Sequence, residues 1–259
     1  MPELVDSHCH LDEPVFDADR EQVLARARAA GVKEIIVPGY QERYWPRLRK
    51  VTAAYEGLYP AYGLHPWYLD ERVSDELASL RLWLQREPCV AVGECGLDFY
   101  VKKVPSELQI ESFVAQLKLA REFDLPVIVH ARKSLDIVIK YLRRQPGLRG
   151  VVHAFSGSLQ QAEHLFGLGF RLGLGGTLTF LRAKRLRQVA AAMPLEALLL
   201  ETDAPFQPGN AHRGERNEPA YIKEVSIALA EIRGESAEDI GCAAASNARK
   251  LFGLSSAPE

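Results

Sequence analysis

Short runs rich in valine, isoleucine and leucine recur along the chain, each followed by a longer stretch whose apolar residues return every three or four positions opposite a polar face. The first pattern predicts strands and the second amphipathic helices. Predicted strands are Leu4–Cys9, Lys33–Val37, Leu58–Leu64, Cys89–Glu94, Pro126–His130, Gly150–Ala154, Phe170–Leu174 and Ala197–Thr202. Between them the spacing predicts helices at Arg20–Ala30, Ser74–Gln85, Ser106–Phe123, Ser134–Arg144, Leu159–Leu168 and Ala183–Ala192. Two more follow the last strand, near Pro219–Arg233 and Ser236–Leu251. Gly31 marks the end of the first helix, Ser74 reads as an N-cap, and Leu125-Pro126 opens a strand.

Strands that alternate with helices imply a parallel sheet, and eight such units favour closure into an α/β fold of the (β/α)8 TIM-barrel type. That barrel commonly takes about 250 residues, so a single domain over residues 1–259 is the economical reading. The alternative, an open doubly wound sheet, gains no support from a nucleotide motif. Asp6-Ser7-His8-Cys9-His10 stands after the first strand where a glycine-rich fingerprint would be.

Composition narrows the functional classes. The chain is 47% hydrophobic and 25% charged, with a net charge of −2, which excludes wholesale disorder and argues against a protein that coats nucleic acid nonspecifically, while leaving room for a local basic patch. No apolar run reaches the roughly 18 residues of a membrane span, and Met1-Pro2-Glu3-Leu4-Val5-Asp6 lacks the layout of a signal peptide. A cytoplasmic protein with no membrane association is therefore expected. Cys9, Cys89, Cys95 and Cys242 form no C-x-x-C pair and are expected to be buried thiols.

Alternation in a strand points His8 and His10 to one side and Cys9 to the other, so the two histidines can share an ion. Glu94, His130, His153 and Asp203 also fall at predicted C-terminal strand ends. In a barrel these ends share one rim, where barrel enzymes build their sites. Four histidines and two carboxylates would be costly to bury there without a cation. Six ligands exceed a closed structural zinc site and suit two divalent ions with a shared carboxylate. Imidazole with carboxylate suits zinc, manganese or iron better than calcium, with magnesium an unusual partner. His65, after the third strand, is placed beside the ligands as a phosphate contact or acid. His164 reads as a surface or packing residue, and His212 is left outside the site.

The ordered segments Asp6-Ser-His-Cys-His-Leu, Gly63-Leu-His-Pro, Val92-Gly-Glu-Cys-Gly-Leu-Asp-Phe-Tyr, Leu125-Pro-Val-Ile-Val-His, His153-Ala-Phe-Ser-Gly-Ser, Leu200-Glu-Thr-Asp-Ala-Pro and Arg216-Asn-Glu-Pro closely resemble the TatD-like metal-dependent deoxyribonucleases, part of the amidohydrolase-like barrel hydrolases. The resemblance spans nearly the whole chain. It implies that His8, His10, Glu94, His130, His153 and Asp203 are metal ligands, with Glu94 bridging where some barrel relatives use a modified lysine. The chain departs from the pattern at Cys95, where an aliphatic residue is common, and at Phe206-Gln-Pro-Gly-Asn after Pro205. The second departure bears on substrate preference rather than metal binding.

The resemblance further implies hydrolysis of DNA phosphodiesters, often from the 3′ end, by a metal-activated hydroxide at a centre of two divalent ions (Zn, Mn or Mg). Asp203 would position the water and accept its proton, with Glu94 and His65 the other catalytic groups. Glu201 faces the same way as Asp203 and would support the ligands from behind. Arg132 and Arg216 are the candidate phosphate contacts, Tyr100 a candidate base-stacking surface, and the expected partner is a nucleic acid, DNA foremost, with no obligate protein partner. The same centre could instead cleave a carbonyl ester or amide, as in a lactonase or an aminoacyl-tRNA deacylase. A noncatalytic metal-binding scaffold is the third reading.

Overall fold

The structure, a computed structural model, describes residues 3–254. Its centre is one sheet of eight parallel strands in sequential order. These are β1 (Leu4–Asp6), β2 (Val32–Pro38), β3 (Leu58–Tyr62), β4 (Ala91–Asp98), β5 (Val127–Arg132), β6 (Gly150–Val152), β7 (Phe170–Leu174) and β8 (Leu198–Leu200). Among the described residues nine α-helices accompany them: α1 (Arg20–Ala29), α2 (Trp45–Ala54), α3 (Val73–Arg86), α4 (Ser106–Glu122), α5 (Leu135–Leu142), α6 (Leu159–Gly167), α7 (Lys184–Ala192), α8 (Ile222–Arg233) and α9 (Ala237–Phe252).

The sheet curls until its first and last strands meet. The Ser7 amide donates to the Leu200 carbonyl at 3.0 Å, and the Asp203 amide to the His8 carbonyl at 2.8 Å. Asp6 fastens the seam, accepting from the Thr202 amide at 3.0 Å and from its hydroxyl at 2.6 Å. The result is the (β/α)8 barrel expected from the alternation of elements.

Period two along the strands sorts the core into two clusters. Val5, Ile36, Ala61, Ala91, Ile128, Val151 and Leu199 face inward and meet Ala245, Ala248 and Phe252 of α9, which closes one end. Their alternates, among them Leu4, Ile35, Val37, Tyr62, Val92, Val129 and Leu200, pack outward against the helices. Cys9 and Cys95 belong to this outer cluster, on the side opposite His8, His10 and Glu94, but Cys242 is exposed and Cys89 only half-buried. The expectation of four buried thiols fails at Cys242 because it falls on the outer face of α9, away from the plug.

Two local expectations also change. Ser74 does not cap α3, which begins one residue earlier at Val73 with Arg72 at the cap position. Between β2 and β3 stands α2, for which no helix was expected. Pro46 lies in its first turn, where no amide donor is missed, and Trp45, Leu48, Val51 and Thr52 form its buried stripe. Trp45 is wholly buried and meets Tyr62 and Trp83 edge-on or tilted. Trp45→Ala is expected to cost about 3–5 kcal/mol, read as a lower urea midpoint at unchanged slope. An unchanged midpoint would mean that α2 is not part of the core.

Candidate metal centre

Inward-facing parity carries upward from the barrel core to the rim. Two residues beyond Ile128 comes His130, two beyond Val151 comes His153, and two and four beyond Leu199 come Glu201 and Asp203. Glu94 breaks parity with Ala91, and the ladder between β4 and β5 shifts register between Val92 and Cys95, which turns the Glu94 side chain inward. Glu94 thus sits within β4 rather than at its end. β1 ends at Asp6, so His8 and His10 project from the extended segment beyond it, still on one side.

Glu94 is the hub. Its Oε2 lies 3.3 Å from His8 Nε2 and 3.4 Å from His10 Nε2. Its Oε1 lies 2.9 Å from His153 Nε2, 3.0 Å from His130 Nδ1 and 3.3 Å from His65 Nε2. Asp203 Oδ1 joins the first group, 3.6 Å from His8 Nε2 and 3.7 Å from His10 Nε2. Each carboxylate oxygen of Glu94 therefore faces its own nest of imidazole nitrogens. His8, His10, His65, Glu94, His153 and Asp203 are buried, and His130 is half-buried.

These donors fit metal ions better than they fit one another. His8 Nε2 and His10 Nε2 are 3.2 Å apart, as are His130 Nδ1 and His153 Nε2. A tetrahedral zinc with bonds of about 2.0–2.1 Å has ligand atoms about 3.3 Å apart, which matches these separations. Residues His8, His10 and Glu94 converge closely enough to hold an ion, as do His65, Glu94 and His130, and His8, His153 and Glu201. Among the described residues His8 Nδ1, His153 Nδ1 and Glu201 Oε2 are buried without a hydrogen-bond partner.

Charges in the nest follow from burial and mutual contact. Burial works against the carboxylate of Glu94, but His153, His65 and His8 outweigh it and hold the group well below its ordinary range. Burial also opposes protonation of His10 and His153, yet Glu94 raises them to about 9 and about 10. For His8 and His65 burial prevails and lowers each to about 4. Glu201, wholly enclosed, is pushed up to about 8 by burial. It accepts from the Ala154 amide at 2.6 Å and stands 3.8 Å from His153 Nδ1, behind that ring.

Two supporting residues carried no expected role. Asp98 Oδ2 lies 2.9 Å from His130 Nε2, so the ring that turns Nδ1 toward Glu94 is held from its other side. Asp98 Oδ1 accepts from the amides of Tyr100 and Val101. Burial opposes its charge, but the His130 bond keeps the carboxyl well below its ordinary range. Gln207, in the altered loop, donates to Asp203 Oδ2 and so aims that carboxylate. Asp98→Asn is expected to lower metal affinity roughly 10–100-fold, measured by competition with a chelating dye. Wild-type affinity in that variant would show that the ring orients itself.

The nest floors a cavity of about 490 Å³ lined by Tyr40, Trp67, Tyr68, Arg132, Phe206 and others. Arg132 reaches its mouth with the guanidinium 3.9 Å above the Tyr100 ring. Tyr100 is 57% exposed, so the pair presents a ring and a cation to solvent at once. Arg216 is not brought to this cavity. It donates to both carboxylate oxygens of Asp19, at 2.9 and 2.6 Å, and to the Val15 carbonyl, pinning the loop after β8 to the segment before α1. His164 is exposed on α6, and His212 lies between Glu215 and Glu224, stacked on Tyr221.

A barrel with imidazoles and carboxylates gathered at this rim defines a metal-dependent hydrolase. The family model for TatD-related DNases matches residues 5–253, and the chain belongs to that family. It is 44% identical over 253 residues to the metal-dependent hydrolase YjjV of Escherichia coli K12, covering 96% of this chain and 98% of that one. The crystal structure of YjjV superposes with a TM-score of 0.93 at 43% identity, over 97% and 98% of the two chains. At 35% identity, over 97% of this chain and 98% of the relative, it is similar to a Klebsiella pneumoniae protein named 3′-5′ ssDNA/RNA exonuclease TatD. Among the described residues no helix is long and apolar enough to cross a membrane.

Proposed function

We propose that the protein is an exonuclease that removes nucleotides from the 3′ end of single-stranded nucleic acid, DNA foremost, at a centre of two divalent ions. The observation that carries the reading is the division of Glu94: one oxygen faces His8 and His10, beside Asp203, and the other faces His130 and His153. When bound, the ions would supply a water of lowered pKa and neutralise charge on the ester oxygens.

The chain supplies the rest. Asp203, aimed by Gln207, is placed to orient the attacking water and accept its proton. Glu201 steadies the turn after β6 through the Ala154 amide and so supports His153. Aromatic rings of Tyr40, Tyr68 and Phe206 line the cavity, suited to an unpaired base, and Arg132 in the same lining is suited to backbone phosphate. The name of the Klebsiella relative agrees with that reading.

The test is an end-labelled single-stranded oligonucleotide incubated with Mg²⁺, Mn²⁺, Zn²⁺ or chelator, beside Asp203→Ala and His130→Ala. Metal-dependent shortening from the 3′ end, lost in both variants, is the expected result. No cleavage by metal-loaded protein would move the assignment to a carbonyl ester such as aminoacyl-tRNA. Arg132→Ala is expected to raise KM about tenfold, leave kcat within a factor of two or three, and reduce the salt slope of binding by about 1. An unchanged salt slope would remove Arg132 from the phosphate path.

A further inference from the structure

His65 is buried at the wall of the cavity, and both its backbone and its Nδ1 are held in place. Its own amide donates to the Tyr40 carbonyl at 3.0 Å. The preceding residue, Leu64, is clamped at both backbone groups by Gln116 of α4: the Leu64 amide donates to Oε1 at 2.8 Å, and Nε2 donates to the Leu64 carbonyl at 3.0 Å. Beyond it, Pro66–Tyr68 forms a single 3₁₀ turn whose cap is the His65 side chain.

That cap fixes a proton. The Trp67 amide donates to His65 Nδ1 at 3.1 Å. A backbone N–H can only donate, so Nδ1 carries its lone pair and no hydrogen. In a neutral imidazole the hydrogen then sits on Nε2, the atom that faces the nest 3.3 Å from Glu94 Oε1. An ion on Nε2 would require both ring nitrogens to be unprotonated, an imidazolate. His65 therefore differs from the other histidines of the centre, although it stands close enough to Glu94 and His130 to be taken for a ligand.

We infer that His65 is a catalytic hydrogen-bond donor and not a metal ligand: its Nε2–H, which borders the cavity 3.3 Å from Glu94 Oε1, is the donor to an oxygen of a bound ester that gains negative charge in the transition state. No proton is transferred. The ring acts as a neutral, preorganised dipole in a water-poor site, where such a donor is most effective. The inference rests on the reading of this centre as hydrolytic, but not on the ester being phosphate, because an oxygen with rising charge forms in either case.

Two measurements on metal-loaded protein test it. In the zinc-loaded, ¹⁵N-labelled protein, a long-range ¹H–¹⁵N correlation spectrum assigned with His65→Ala should show His65 with a protonated Nε2 and a bare, hydrogen-bonded Nδ1. Metal content and turnover of bis(4-nitrophenyl) phosphate and 4-nitrophenyl acetate are then compared across variants. His65→Ala should keep the wild-type metal content and lose about 10²–10³-fold in kcat. His65→Gln, whose amide N–H can reach the position of Nε2, should recover part of that loss. A proton on Nδ1, the loss of an ion from His65→Ala, or an undiminished kcat would overturn the assignment. Failure of the wild type to shorten an oligonucleotide would refute the nuclease reading alone, since the tautomer and metal content still report on His65.

Discussion

Glu94→Gln is expected to reduce turnover by about a thousandfold or more and, on the two-ion reading proposed above, to lower metal content from about two ions per chain to less than one. The substitution keeps the shape of the side chain and removes its charge. Five imidazoles stand within 3.4 Å of the two Glu94 oxygens, so no other residue can face both nests. An amide offers one weak oxygen where a carboxylate offers two charged ones. Loss of metal assistance worth several kcal/mol corresponds to that thousandfold fall. Metal analysis after gel filtration, with oligonucleotide turnover on the same samples, checks it. A variant with full metal content and full activity would show that Glu94 bridges nothing.

The second large effect is on stability. Removing metal with a chelator is expected to lower Tm by roughly 8–16 °C. An ion present at about a thousand times its Kd stabilises the folded state by about 4 kcal/mol, and each kcal/mol moves Tm by about 2–4 °C for a chain of this size. The loss should be felt across the barrel, because the proposed ligands lie within β4 and β5 and just beyond β1, β6 and β8 and would tie these strands together. Calorimetry before and after chelation, then after zinc is restored, measures the shift. A Tm that stays within about 2 °C would mean that the nest is satisfied without metal.

Much of this architecture was legible in the sequence because periodicity is local. The eight strands and their order follow from runs of apolar residues, and the cluster of candidate ligands from polar residues placed near the ends of those runs. The sharing of one face by His8 and His10, opposite Cys9, needs only alternation. The supporting structure was harder to read because its partners are distant in the chain. Asp98 meets His130 across 32 residues, and Arg216 meets Asp19 across 197, so an arginine expected at phosphate is instead engaged in tying two loops. Gln109 and Gln116, two turns apart on α4, clamp the backbones of Asp98 and Leu64, but a buried glutamine looks like any polar residue until its face is known. In α2 the stripe Trp45, Leu48, Val51 was present, though a proline beside the first apolar residue disguised the start of the helix.

The central claim is a pair of ions organised by one carboxylate, and anomalous scattering from crystals of the manganese- or zinc-loaded protein tests it most directly. The account predicts two peaks about 3.5–4 Å apart. One should lie among His8, His10, Asp203 and Glu94 Oε2, and the other among His130, His153 and Glu94 Oε1, with His65 bonded to neither. A single peak, or two peaks that do not share Glu94, would contradict it.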